Sequence, residues 1–154
     1  MKREFASDPQ AGSALTSALT ALVLLSVQFI LGMYVNLFVS IPSSRPQGFP
    51  QGMMMGAGAA WMMGAMSQPV LLAHMLLGFL IVFVALVNLM FAAVRLSWLL
   101  MAACGAISVL AAGLGGMAFL MSAGSNLASM AMALGFLVAF GAFSAEALTI
   151  VAPG

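Results

Sequence analysis

The chain has 154 residues, of which 64% are hydrophobic and only 5% are charged, with a formal net charge of +1 at pH 7. A soluble domain carries about a quarter charged residues, so a water-facing surface cannot be built here, and the small net charge leaves no footprint for nucleic acid. The sequence reads as an integral membrane protein with one compact membrane domain over residues 1–154.

The seven formal charges are Lys2, Arg3, Glu4, Asp8, Arg45, Arg95 and Glu146. They leave three uncharged stretches, 9–44, 46–94 and 96–145. Each crossing of a bilayer needs about 20 mostly apolar residues in a helix, so these stretches hold four crossings. A transmembrane β-barrel is excluded because its strands alternate apolar and polar residues, whereas 76–87 is apolar on every side. The lone Cys104 forms no intrachain disulfide.

In chain order, residues 1–13 form a short polar lead, with Asp8-Pro9 marking the start of a helix. The apolar run that follows is too long for the core of a signal peptide and lacks a small-residue cleavage site. It is therefore expected to stay as span one, about 14–40. A sizeable outward loop at 41–69 follows. Its first part, PSSRPQGFPQG, contains three prolines and two glycines and cannot be helical. Its second part, MMMGAGAAWMMGAMSQ, is apolar and is expected to form a short interfacial helix. From 70 to 121 no proline occurs, and one helix of that length would reach about 78 Å at 1.5 Å per residue. The hydrocarbon layer is about 30 Å thick, so the chain must turn, and Arg95 marks where. Span two is thus about 70–93 and span three about 98–121, with Trp98 expected at the interface. SAGSN makes the next turn, and span four covers about 127–151. Lys2, Arg3 and Arg95 on one side against Arg45 on the other predict cytoplasmic termini in the cytoplasmic (inner) membrane.

Small and polar residues fall on seams with helical spacing. Span two gives His74, Gly78, Ile81, Ala85, Asn88 and Ala92; span three gives Met101, Gly105, Ser108, Ala112, Gly115 and Phe119. Span four gives Ala128, Met132, Gly135, Ala139, Ala142 and Glu146, and in span one Gln28, Gly32 and Asn36 share a face. Such seams let helix backbones approach closely in lipid. The fold expected is all-α, an antiparallel four-helix membrane bundle with a thin polar interior.

His74 is the foremost candidate for chemistry. An imidazole near the outer end of span two, at the depth of Tyr34 and Asn36, could ligate haem iron or a metal, bond a quinone carbonyl or shuttle protons. Equally, it could tie two helices by hydrogen bonding. With one histidine in the chain, a bis-histidine haem site would need a second copy, while a His–Met pair would draw on Met33, Met75 or a loop methionine. The chain has 15 methionines, and Met53, Met54, Met55, Met62, Met63 and Met66 crowd the outward loop. Thioethers suit Cu(I), with Met62, Met63 and Met66 sharing a helical face; they also suit adaptable contact surfaces. Glu146 and Arg95, near the cytoplasmic boundary, read as an ion pair, as snorkelling charges or as a proton inlet. Asn88 and Gln28 would extend such a path towards His74, but apolar Ile81 and Ala85 interrupt it. No catalytic Ser–His–Asp set, phosphate loop, CxxC or HExxH pattern is present. Internal duplication, the mark of an inverted-repeat transporter, is not evident.

The stretches LGMYVNLFVSIP (31–42) and AHMLLGFLIV (73–82) resemble a poorly characterised family of small bacterial and archaeal four-helix membrane proteins. That resemblance implies four spans and a histidine opening the second, and it brings no established activity. More distantly the layout is similar to four-helix membrane cytochromes, from which this chain departs by lacking paired histidines. The expectation is a non-enzymatic accessory or assembly subunit, forming a homo-oligomer or joining a larger membrane complex. The alternatives are a redox module binding haem b or quinone through His74, Tyr34 and Asn36, and copper handling by the loop methionines.

Overall fold

The computed structural model describes residues 9–39, 68–121 and 125–152. It contains four helices: α1 (Pro9–Phe38), α2 (Pro69–Ala92), α3 (Leu96–Met121) and α4 (Asn126–Val151). The described residues include no strand. All four helices are long and apolar enough to cross a membrane; the shortest, α2 with 24 residues, reaches about 36 Å at 1.5 Å per residue. The chain is thus a multi-pass membrane protein built as an all-α four-helix bundle. The expected Met-rich loop or interfacial helix falls mostly on 40–67, outside the described residues.

Prolines set two of the starts. α1 begins at Pro9 and α2 at Pro69, where Gln68 caps in extended backbone. Proline fits the first helical turn because its missing N–H would have no partner there. α1 thus starts five residues before the expected position 14. The hydroxyls of Ser13 and Thr16 donate to the carbonyls of Pro9 and Gly12, both at 2.9 Å, so residues 9–13 of the polar lead are carried within the helix. α2 and α3 are joined by a turn at residues 93–95. Arg95 N donates to Ala92 O at 3.2 Å, and Leu99 N already donates to Arg95 O at 2.9 Å.

The helices form a ring in chain order, each packed against the next and α4 closing on α1. Apolar side chains fill it in three tiers. Val35 and Leu71 close the end where α1 finishes and α2 starts. Leu25, Ile81, Val109 and Phe143 fill the middle, along with Ala21, Ala85, Ala106 and Ala139. Trp98 packs among Ala11, Ala14, Ala92 and Ala102 at the end where α1 starts and α4 finishes. Trp98 was expected at the interface. It does lie in the first turn of α3, but its side chain is only 2% exposed, because four alanines leave a space that its ring fills. Large residues such as Phe79, Phe83, Leu114 and Leu137 point outward, as lipid-facing positions do.

The closest approach is between α3 and α4. A Cβ on Gly135 would lie 2.9 Å from Ser108 O and 3.0 Å from Ala112 Cβ; one on Gly115 would lie 3.1 Å from Met132 N. These glycines allow backbone to lie against backbone, the contact that holds membrane helices together where lipid supplies no hydrophobic push. Overpacking such a contact costs about 1–3 kcal/mol. Gly135→Val is therefore expected to destabilise the bundle by about that amount in sodium dodecyl sulfate titrations followed by circular dichroism. Gly141→Ala, with nothing within 4 Å of the new methyl, should be neutral or gain up to about 1 kcal/mol of helix propensity.

Candidate functional site

The polar side chains inside the bundle gather in two places. Nearer the end where α1 finishes and α2 starts, Gln28 Nε2 lies 3.2 Å from His74 Nε2. The two helices reach this contact through a regular antiparallel register. Gly32 faces the imidazole, with a built Cβ 3.1 Å from His74 Cε1, and Gly78 faces Gln28 Nε2 at 3.4 Å. Each long polar side chain thus lies over the other helix's glycine. The Gln28 amide donates here to an imidazole Nε2 that carries no proton, or, with the amide reversed, accepts from Nε2–H; the tautomer of the ring decides which. His74 Nδ1 and Gln28 Oε1 are both buried without a hydrogen-bond partner.

The second group lies near the opposite end and involves three helices. Ser17 Oγ is 2.5 Å from Asn88 Oδ1, and Asn88 Nδ2 donates to Glu146 Oε2 at 2.7 Å. Asn88 and Glu146 have no exposure at all. Glu146 Oε1 is buried without a partner. Burying a carboxyl with a single hydrogen bond is costly, and a side chain kept in that position inside a membrane is a functional candidate by default. Glu146 faces inward because it follows Phe143 by three residues, and the Phe143 ring lies on Gly105, 2.7 Å from a built Cβ. Positions i and i+3 share a helix face, so the packing of the ring fixes the direction of the carboxyl.

Several expected partnerships turn out otherwise. Tyr34 and Asn36 were placed at the depth of His74, but the side chain that reaches His74 is Gln28, two turns deeper than Asn36. Tyr34 is half exposed, with its ring 5.0 Å from that of Phe38, and Asn36 is exposed. The register is set by Val35 meeting Leu71, which puts His74 level with Gly32. Glu146 neither snorkels nor pairs with Arg95: it bonds Asn88, while the Arg95 guanidinium stands 4.8 Å over the Trp98 ring. Gln28 and Asn88, considered as one path, belong to separate groups. His74 and Asn88 are fourteen residues apart on α2, about 21 Å at 1.5 Å per residue, and the apolar middle tier fills the interval.

One ring nitrogen of His74 meets Gln28 and the other is buried without a hydrogen-bond partner, so in this packing a haem or quinone ligand would have to displace Gln28 or open the contacts around Nδ1. Among the described residues no group of three or more His, Cys, Asp or Glu could hold a metal. Met62, Met63 and Met66 lie outside the described residues.

Ser17 is the participant that the sequence reading passes over. Its signal was present: carrying the Gln28–Gly32 spacing back along α1 by alternating threes and fours gives Leu25, Ala21, Ala18 and Ala14, all buried. Ser17 is the hydroxyl beside that line. No known protein family, curated protein or solved structure matches the chain.

The contact between Gln28 and His74 is open to measurement. Interhelical hydrogen bonds in membrane proteins average about 0.6 kcal/mol and reach about 1.7. A double-mutant cycle of Gln28→Leu and His74→Leu, measured by detergent unfolding, should return a coupling in that range. Coupling within error of zero, with both single variants folded, would show that no such tie exists.

Proposed function

We propose that this chain is a non-enzymatic accessory or assembly subunit of a larger membrane complex, in the cytoplasmic (inner) membrane with both termini on the cytoplasmic side. The basic residues support that orientation. Lys2 and Arg3 precede α1 and Arg95 lies in the α2–α3 turn, against Arg45 in the opposite connection.

The observation that carries the reading is the outward face of α1. Gly12, Thr16 and Thr20 recur every four residues there and are exposed, and a Cβ on Gly12 would meet nothing within 4 Å. With Ser13 and Ser17 they form one wall of an open groove of about 520 Å³, whose other wall on α2 is Phe83, Val84, Val87 and Phe91. Large apolar side chains would be expected on a face that meets only lipid. Small residues at four-residue spacing instead suit the close approach of another helix. The hydroxyls of Ser13, Thr16 and Thr20 each donate to the carbonyl four residues back, at 2.8–2.9 Å. Their oxygens are left as acceptors towards the groove. The fitting occupant is a transmembrane helix of another subunit, with small residues along its seam and an O–H or N–H donor to meet those oxygens.

A photo-crosslinking residue at Thr16, in protein taken from its native membrane in mild detergent, should capture a defined membrane partner. The same probe at Leu148, on the outward side of α4, should not. Gly12→Leu should abolish the Thr16 adduct by filling the groove. A strictly monomeric protein, with no adduct from Thr16 or an adduct that survives Gly12→Leu, would count against this function.

A further inference from the structure

We propose that Ser17, Asn88 and Glu146 form a proton-binding site with two hydrogen-bond states, which differ by one proton on Glu146 and by the orientation of the Asn88 amide. The starting point is a shortage of hydrogens. Ser17 Oγ lies within donating distance of two acceptors, Asn88 Oδ1 at 2.5 Å and Ala14 O at 3.0 Å. A serine hydroxyl has one hydrogen, so it serves one acceptor at a time. The oxygen and nitrogen of an asparagine amide are distinguished by their hydrogen-bond network rather than by their positions, so the same heavy-atom geometry admits two complete chains of donors.

In the first, Ser17 donates to Asn88 Oδ1, and Asn88 Nδ2 donates to Glu146 Oε2. Glu146 only accepts, which suits the carboxylate. In the second, the amide is reversed: Glu146 Oε2–H donates to Asn88 Oδ1, Asn88 Nδ2 donates to Ser17 Oγ, and Ser17 turns its hydrogen to Ala14 O. Each link of this chain then has a donor and an acceptor, and the second N–H of the Asn88 amide stands outside the chain in both states. A proton on Oε1 would not achieve this, because that oxygen is buried without a partner. Proton uptake at Oε2 therefore reverses the amide and re-aims the hydroxyl. The proton comes from water and returns to it, with no other reactant.

The site lies close to the ends of two helices. Asn88 is four residues from the end of α2 and Glu146 five from the end of α4, about 6 and 7.5 Å at 1.5 Å per residue. Ser17 lines the groove between α1 and α2, which gives the network a side that is not sealed by the core. Within the described helices, α1 presents Ser17 and Ala14 to the site and α2 presents Asn88, while on α4 Thr149 Oγ1 lies 2.8 Å from Glu146 O and 3.6 Å from the Met101 sulfur of α3. Apart from Glu146 itself, none of these is ionisable. Arg95, in the turn over Trp98, is the only other charged side chain among the described residues.

The chain has two glutamates, Glu4 and Glu146, so Glu4→Gln protein labelled with ¹³C-carboxyl glutamate reports on Glu146 alone. Infrared difference spectra in lipid bilayers, taken while stepping the pH, should show one isotope-shifted band exchanging between carboxylate and acid. Solid-state NMR of side-chain ¹⁵N-asparagine should show the Asn88 resonance shifting with the same midpoint. Ser17→Ala, which removes the hydrogen that is handed between Asn88 and Ala14, should displace both midpoints together. Thr20→Ala, in the same groove but outside the network, should leave them in place. A Glu146 band that does not titrate while the helices stay folded would overturn the proposal. So would a band that titrates with an unmoved Asn88 resonance, or midpoints indifferent to Ser17→Ala.

Discussion

The contact between α3 and α4 fixes the dimensions of the rest. Two backbones approach where Gly135 meets Ser108 and Ala112 and where Gly115 meets Met132, and no side chain larger than a hydrogen fits between them. In a hydrocarbon medium this approach provides the dispersion contacts that the hydrophobic effect provides in water. One turn further along, the pair opens just enough for the Phe143 ring to lie on Gly105. That ring fills the centre of the bundle together with Ile81 and Leu25, and it directs Glu146 inward. Glycine in α3 thus leads, through ring packing in α4, to a carboxyl that faces α2 and α1. The polar chemistry follows from where the small residues are.

Much of this architecture was legible because lipid imposes a simple rule. With charge and proline nearly absent from the spans, the boundaries could be read from Pro9, Pro42, Pro69 and Arg95, and the small-residue seams gave the inward faces. Ile81, Ala85, Asn88 and Ala92 are buried as their spacing requires, and so are Ala128, Gly135, Ala139 and Glu146. What spacing along one helix cannot supply is the register between two. His74 was therefore matched to Tyr34 and Asn36, when the Val35–Leu71 contact places it beside Gly32 and Gln28. Trp98 lies in the first turn of its helix, as expected, and what spacing along the chain could not show is that Ala11, Ala14 and Ala92 enclose its ring.

The two polar groups solve different problems. Gln28 and His74 join only α1 and α2, and each lies over a glycine of the opposite helix, so their main consequence is a fixed register for that pair. The Ser17–Asn88–Glu146 chain joins α1, α2 and α4 and leaves a carboxyl oxygen without a partner. A purely structural tie between those helices would be better served by an amide or a well-packed apolar residue, because half-satisfied buried polar groups weigh against stability. An ionisable group retained in such a place is more economically explained by what it can take up and release. The middle tier, with Ala21, Leu25, Ile81, Ala85 and Phe143, separates the two groups.

Ser17 is where the proposed docking groove and the proposed proton site meet. Its hydroxyl lines the groove between α1 and α2 and also decides whether Asn88 acts as acceptor or donor towards it. A helix seated in the groove with a donor aimed at Ser17 Oγ would leave the reversed amide one of that oxygen's two lone pairs, and where it takes the one facing Asn88 it would favour the deprotonated network. One aimed to accept from Ser17 would take the hydrogen from Asn88 and favour the protonated network. Linkage makes either preference reciprocal: whichever protonation state a partner favours, that state binds the partner more tightly by the same factor. The sign of such a coupling would therefore reveal the chemistry of the partner's contacting group, and a partner that avoids Ser17 altogether would give none.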